Sequence, residues 1–299
     1  MNLAWKWSLV LGLSALVCGP ALAQTPTRGT HMYLAWSPNG QTLAYSAYSL
    51  GRPQILLASS AGGPGLAISV LPPGANNPQW TRDGSGIRFT APVDGQRDVH
   101  IIVTASQEVR QLTRTAASEG DAAVSPDGRL IAYVAPNGAH RALWLAGPDG
   151  DDARVLLSSE QLDYFSPVWS PDGTRLTFYS EARDNRDQIW IVDATSGNAR
   201  RVTDGTGHNT FPSWSPDGTH LLYTRSSGDP GASDGELISH PLDGPPVALG
   251  VSGGVFVGVW SPDGKSVAFT RFGADAAAPF DTDLIIADAD GRNERVIGR

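Results

Sequence analysis

The residues best suited to chemistry recur in small sets: His31; Asn76 and Asn77; Glu119 and Asp121; Asp163 and Tyr164; His208 and Asn209. Carboxylate and amide oxygens are the ligands a hard cation such as Ca2+ takes, and carboxylates with imidazoles could hold a divalent metal that polarises a substrate. Three carboxylates favour a cation over an anion. Against this, polar side chains at strand ends commonly do no more than solvate loops, and a loop histidine without a spaced partner is ordinarily a solvated one.

No other chemistry is legible. The chain has no His-Glu-x-x-His, no Gly-x-x-x-x-Gly-Lys-Ser/Thr phosphate loop, no paired cysteines and no dinucleotide fingerprint. Asp288, Asp290 and Gly291 with Glu294 approximate a fragment of a calcium loop, but the remaining ligand spacing is missing and a hairpin turn accounts for them. Glu181, Arg183, Asp184, Arg186 and Asp187 make a charged connection, read as a solvated loop with a partner contact as its functional alternative.

What must position the candidate residues is a repeat. The phrase reads Trp36-Ser37-Pro38-Asn39-Gly40, Trp80-Thr81-Arg82-Asp83-Gly84 and Val124-Ser125-Pro126-Asp127-Gly128 in its first three copies. It continues as Trp169-Ser170-Pro171-Asp172-Gly173, Trp214-Ser215-Pro216-Asp217-Gly218 and Trp260-Ser261-Pro262-Asp263-Gly264, at steps of 44, 44, 45, 45 and 46 residues. Pro presets φ at the second position of a type I turn, Asp or Asn suits the third, and Gly accepts the positive φ that follows. Three and five residues past each Gly stand an aliphatic and an aromatic: Leu43 and Tyr45, Ile87 and Phe89, Ile131 and Tyr133, Leu176 and Phe178, Leu221 and Tyr223, Val267 and Phe269. That alternation is one buried face of a β-strand.

A second apolar run and a short last strand complete each unit, for example Gln188 to Val192 followed by Arg200 to Thr203. Each unit is a four-stranded meander that cannot bury two apolar faces alone, so six of them are expected to pack radially as an all-β, six-bladed β-propeller. Each Trp should fill the wedge between neighbouring blades, and Val124 should leave the third unit more loosely packed. The candidate residues, just ahead of each innermost strand, should ring the mouth of the central channel, with apolar Val255 in the sixth blade. The longer connections Ser226 to Asp234 and Phe272 to Thr282 should open on the same rim.

The Trp-Ser-Pro-Asp-Gly phrase, the aliphatic-x-aromatic strand and the Ile-Trp-Ile third strand of residues 189 to 191 resemble the WD-type repeat of the TolB-like propeller family over residues 33–299. The resemblance implies a binding module of the cell envelope. It does not include the N-terminal α/β domain of TolB proper. The repeats also resemble the propeller of prolyl oligopeptidase-type enzymes, without the hydrolase domain that would carry peptidase activity.

Composition and leader fit this reading. Hydrophobic residues make up 40% and charged residues 17%, which is a folding composition rather than a disordered one. A formal charge of -8, with no basic cluster, disfavours nucleic acid. Lys6, the apolar run Trp7 to Val17 and Ala21-Leu22-Ala23 read as a signal peptide over residues 1–23, cut before Gln24. Its removal takes away Cys18, the single cysteine; a lipid-anchored alternative is disfavoured by Val17 before it. A short segment, residues 24–31, then precedes the propeller, residues 32–299, with no membrane span. The expected protein is periplasmic or secreted, carries no cofactor, and binds a protein or peptide partner or another cell-envelope component through the channel-mouth loops. The alternative is a divalent-cation-dependent small-molecule enzyme, lactonase-like or lyase-like, with Ca2+ or another metal in the channel.

Overall fold

The computed structural model describes residues 29–49, 52–113, 120–182, 186–228, 234–273 and 281–298; the leader, Glu119, Arg183 and Asp184 lie outside them. Six four-stranded antiparallel sheets, each contiguous in sequence, make six blades. The innermost strands are Thr30–Trp36, Asn76–Trp80, Gly120–Val124, Leu162–Trp169, His208–Trp214 and Val255–Trp260. The first of them begins at Thr30, so two residues assigned to the leading segment belong to the first blade. Among the described residues no helix is long and apolar enough to cross a membrane.

Turn chemistry sets the hairpins. Gly40, Gly84, Gly128, Gly173, Gly218 and Gly264 take φ of 69–76°. Each donates its backbone N–H to the carbonyl three residues back at 2.9–3.0 Å. The Ser hydroxyl donates to the Asp carboxylate, as Ser170 does to Asp172 at 2.6 Å, and accepts the N–H of Arg175 at 3.0 Å. Serine and aspartate in this phrase are thus turn caps, not catalytic groups. The aliphatic-x-aromatic pairs are buried: Leu43, Ile87, Leu176, Phe178, Leu221, Val267 and Phe269 are 0% exposed and Tyr45, Phe89, Ile131, Tyr133 and Tyr223 no more than 2%.

The core lies in the seams between blades. Trp169 donates Nε1–H to the carbonyl of Ala123 in the third blade at 3.0 Å, and Trp214 likewise to Val168 in the fourth at 3.1 Å. Four indoles share a core cluster with a small or aliphatic second-strand residue of the blade before them: Trp36 with Ala268, Trp80 with Ala44, Trp169 with Ala132 and Trp260 with Leu222. Among the described residues no strand is shared across the ring's ends. Closure rests on this packing and on hydrogen bonds that include Thr282 N–H to the Gly29 carbonyl at 3.1 Å, His31 N–H to Thr282 Oγ1 at 2.8 Å and the Arg295 guanidinium to the Ser60 carbonyl at 2.7 Å.

Candidate functional site

The innermost strands have one edge facing the central channel and pair irregularly there. In five blades the ladder slips a few residues ahead of the tryptophan position, between Met32 and Ala35, Asn76 and Gln79, Gly120 and Ala123, Phe165 and Val168, and Thr210 and Ser213. Within each slip one residue sits at a left-handed φ of 47–53°: Tyr33, Asn77, Asp121, Ser166 or Phe211, always three residues before that position. Bulges of this kind re-aim side chains. All five line a central cavity of about 380 Å³ that runs past Trp36, Trp80 and Trp169 toward the turn rim. The sixth blade slips between Val255 and Val257, so Phe256 is the extra residue there.

Asp121 is the carboxylate among the described lining residues. It accepts the Tyr33 hydroxyl at 3.2 Å, from the first blade, and the Ser166 N–H at 3.3 Å, from the fourth. Burial, then the charge of Asp121, pushes the Tyr33 hydroxyl far above its ordinary pKa, and Tyr179 is raised by the same two causes. Both therefore stay protonated donors at neutral pH. Aromatic rings continue from blade four to blade six: Phe165 stacks on Tyr179 at 5.3 Å, Tyr179 meets Phe211 edge-on at 5.6 Å, and Phe211 meets Phe256 at 5.0 Å. The Arg141 guanidinium covers the free end, 5.0 Å from the Phe165 ring.

Of the residues nominated from sequence, Asn77 and Asp121 line this cavity. The others turn elsewhere. Asp163 accepts the Arg141 N–H at 2.5 Å and stands 3.4 Å from His140 Nδ1, both on the third blade. Tyr164 packs edge-on to Phe178 at 5.1 Å within the core. His208 Nδ1 lies 3.3 Å from the Asp187 carboxylate on the fourth blade, and the Asn209 backbone N–H donates to the Asp187 carbonyl at 2.8 Å. Asn76 Nδ2 donates to Tyr48 at 2.5 Å. His31 is 2% exposed, edge-on to Tyr45, and burial lowers its pKa to about 4 against the opposing pull of Thr282 and Asp283. Among the described residues, no three His, Cys, Asp or Glu side chains converge as a metal site would require.

Sequence reasoning passed over Tyr33, Ser166 and Phe211, and also Gln79, Arg82 and Arg88, which line the same cavity. One signal was available. Pro78, Pro167 and Pro212 each follow a left-handed residue, and proline inside a strand belongs at an edge or a bulge.

The seam between the second and third blades departs from the others. Val124 stands where an indole would, and Arg88 where the other blades place Ala44, Ala132, Thr177, Leu222 or Ala268, all fully buried. Gln79 bridges the two blades, donating to the Ala122 carbonyl at 2.7 Å and accepting the Val124 N–H at 3.1 Å; Asn77 also donates to the Ala122 carbonyl, at 2.9 Å. The space expected to be loose is taken by the half-buried Arg88, whose pKa burial lowers, with Asp83 and Asp127 opposing that shift. Asp83 is held to about 2, first by the Thr81 hydroxyl, and remains ionised.

A toroid of six such blades around a side-chain-lined channel defines a WD-type propeller. Residues 23–162 and 123–297 match the family described as the TolB beta propeller domain, and the chain belongs to that family. Among solved structures it is similar to TolB from Acinetobacter baumannii, with a TM-score of 0.67 at 18% identity over 89% of this chain and 62% of that one. The chain thus spans less than two thirds of that protein's length. It is also similar to a putative TolB from Agrobacterium tumefaciens, TM-score 0.66 at 21% identity over 87% and 90% of the two chains. An oligogalacturonate lyase in complex with manganese gives a TM-score of 0.62 at 17% identity, over 91% and 78%. At these identities the likeness shows the fold alone.

Proposed function

We propose that the protein is a non-enzymatic binding module of the periplasm that receives a segment of a protein or peptide partner, or another envelope component, at the channel. The carrying observation is the wall of the cavity: rings, amides and one carboxylate, Asp121, on strands whose bulges fix them toward the axis. Rigid aromatic anchors with a few placed polar groups suit recognition. Membership of the TolB family and the leader-like residues 1–23 support the compartment.

The rival is a cation-dependent enzyme, to which the fold of the manganese-bound lyase lends its likeness. Of its described candidate ligands, Asp163 and His208 make seam contacts, while Asn77 and Asp121 line the cavity. A photo-crosslinking residue at Phe211, compared with one at Val247 on the perimeter, tests the binding reading in envelope extracts. A discrete adduct from position 211 alone supports it. No adduct, together with a chelator-reversible rise in Tm on adding Mn2+ or Ca2+, transfers the protein to the enzyme class.

A further inference from the structure

Two departures from the repeat fall in one blade and on one cavity wall. Arg82 replaces the proline that the other five turns carry as Pro38, Pro126, Pro171, Pro216 and Pro262, and Arg88 replaces a small or aliphatic residue. Both line the cavity together with Trp36, Trp80 and Trp169. Neither side chain forms a hydrogen bond or a close ion pair with a described residue, although Arg88 feels the charges of Asp83 and Asp127 at longer range. Those two carboxylates are committed to their own turns: Asp83 takes the Thr81 hydroxyl at 2.7 Å and the Ser85 N–H at 3.1 Å, Asp127 the Ser125 hydroxyl at 2.7 Å.

We propose that the turn-rim end of the channel is a binding site for a carboxylate carried on an apolar body, with Arg82 and Arg88 taking the carboxylate and the indoles of Trp36, Trp80 and Trp169 the body. Packing alone does not call for a guanidinium at position 88, since Leu222 occupies the equivalent place in the fifth blade. Arg82 is exposed and fills no core. Guanidinium forks match carboxylates bidentately, and a half-buried one binds its anion at reduced dielectric. The site stands at the opposite end of the cavity from the Asp121 cluster and does not depend on the partner reading.

The test uses the purified full chain and 4-phenylbutyrate, its neutral amide, inorganic phosphate and a capped Phe-Glu dipeptide, followed by tryptophan fluorescence and calorimetry. The acid should bind at least about tenfold more tightly than the amide, the scale of a charge-assisted hydrogen bond. Arg82→Pro and Arg88→Leu each install the residue of another blade, so both should fold, and each should weaken the acid by about tenfold or more while leaving the amide unchanged. Preference for the dipeptide identifies a peptide side chain as the source of the carboxylate, and preference for phenylbutyrate a free acid; either supports the site. Equal binding of acid and amide, phosphate matching the acid, no binding by any probe, or unchanged affinity in both folded variants would overturn it.

Discussion

Between the third and fourth blades, the Trp169 indole shares a core cluster with Ala132 and hydrogen-bonds the Ala123 carbonyl. Between the second and third, the large side chain comes from the opposite wall: Val124 replaces the indole, Arg88 replaces the alanine, and Gln79 and Asn77 supply the cross-seam hydrogen bonds. Interiors demand matched volume rather than a particular residue. The same wedge is therefore closed by an indole from one side or a guanidinium stem from the other, and only the second solution leaves charge on the channel wall.

The sharpest way to break this contrast is truncation on both sides of it. Trp169→Ala should cost about 3–5 kcal/mol, because a buried indole is lost and the Ala123 carbonyl loses its donor. Val124→Ala, at a half-buried position, should cost about 1 kcal/mol. Urea denaturation of the two variants reads the difference; similar losses would mean that the seams share one kind of support.

The closing seam offers a pH-dependent version. His31 is neutral when folded because its pKa is lowered from 6.5 to about 4 by burial. Between these values the unfolded chain binds the proton and the folded chain does not, so stability falls as pH drops from 6.5 toward 4, by up to about 3 kcal/mol, and is fully present above 6.5. His31→Gln should flatten this part of the stability profile. A profile unchanged by the substitution would remove His31 from the closure.

A smaller effect tests the exchange of volume itself. Val124→Trp alone should cost about 1–3 kcal/mol, since the new indole meets Arg88. Combined with Arg88→Ala it restores the pair found between the third and fourth blades, and the two changes should couple favourably by about 1–3 kcal/mol in a double-mutant cycle. Additive losses would show that Arg88 and position 124 do not share the space.

The fold was legible because its determinants are local: the proline and glycine of each turn, and the period-two pairs such as Leu176 and Phe178, need nothing distant to be read. The site was legible only in part, since a bulge of one residue decides which face a side chain takes. Asn77 and Asp121 are of types that tolerate left-handed φ, and these two nominated residues line the cavity. Tyr33 and Phe211 take the same conformation against their type, so composition hides them. His208 and Asp163 lie within the innermost strands rather than just ahead of them, and their seam contacts depend on Asp187 and Arg141, about twenty residues away in neighbouring blades.

The smallest predicted effect concerns the turn beneath the unusual seam. Gly84 donates to the Thr81 carbonyl at 3.0 Å and takes φ of 73°, as in the proline-bearing turns. The backbone at Arg82 thus forms the same turn that proline presets, and proline there restricts the unfolded chain without straining the folded one. Arg82→Pro should raise stability by about 0.4–1 kcal/mol, read as a higher urea midpoint at unchanged slope. That gain, paired with weaker carboxylate binding, would mean that the second blade gives up turn stability to keep a cation at the channel; a loss of stability would mean instead that Arg82 supports the seam.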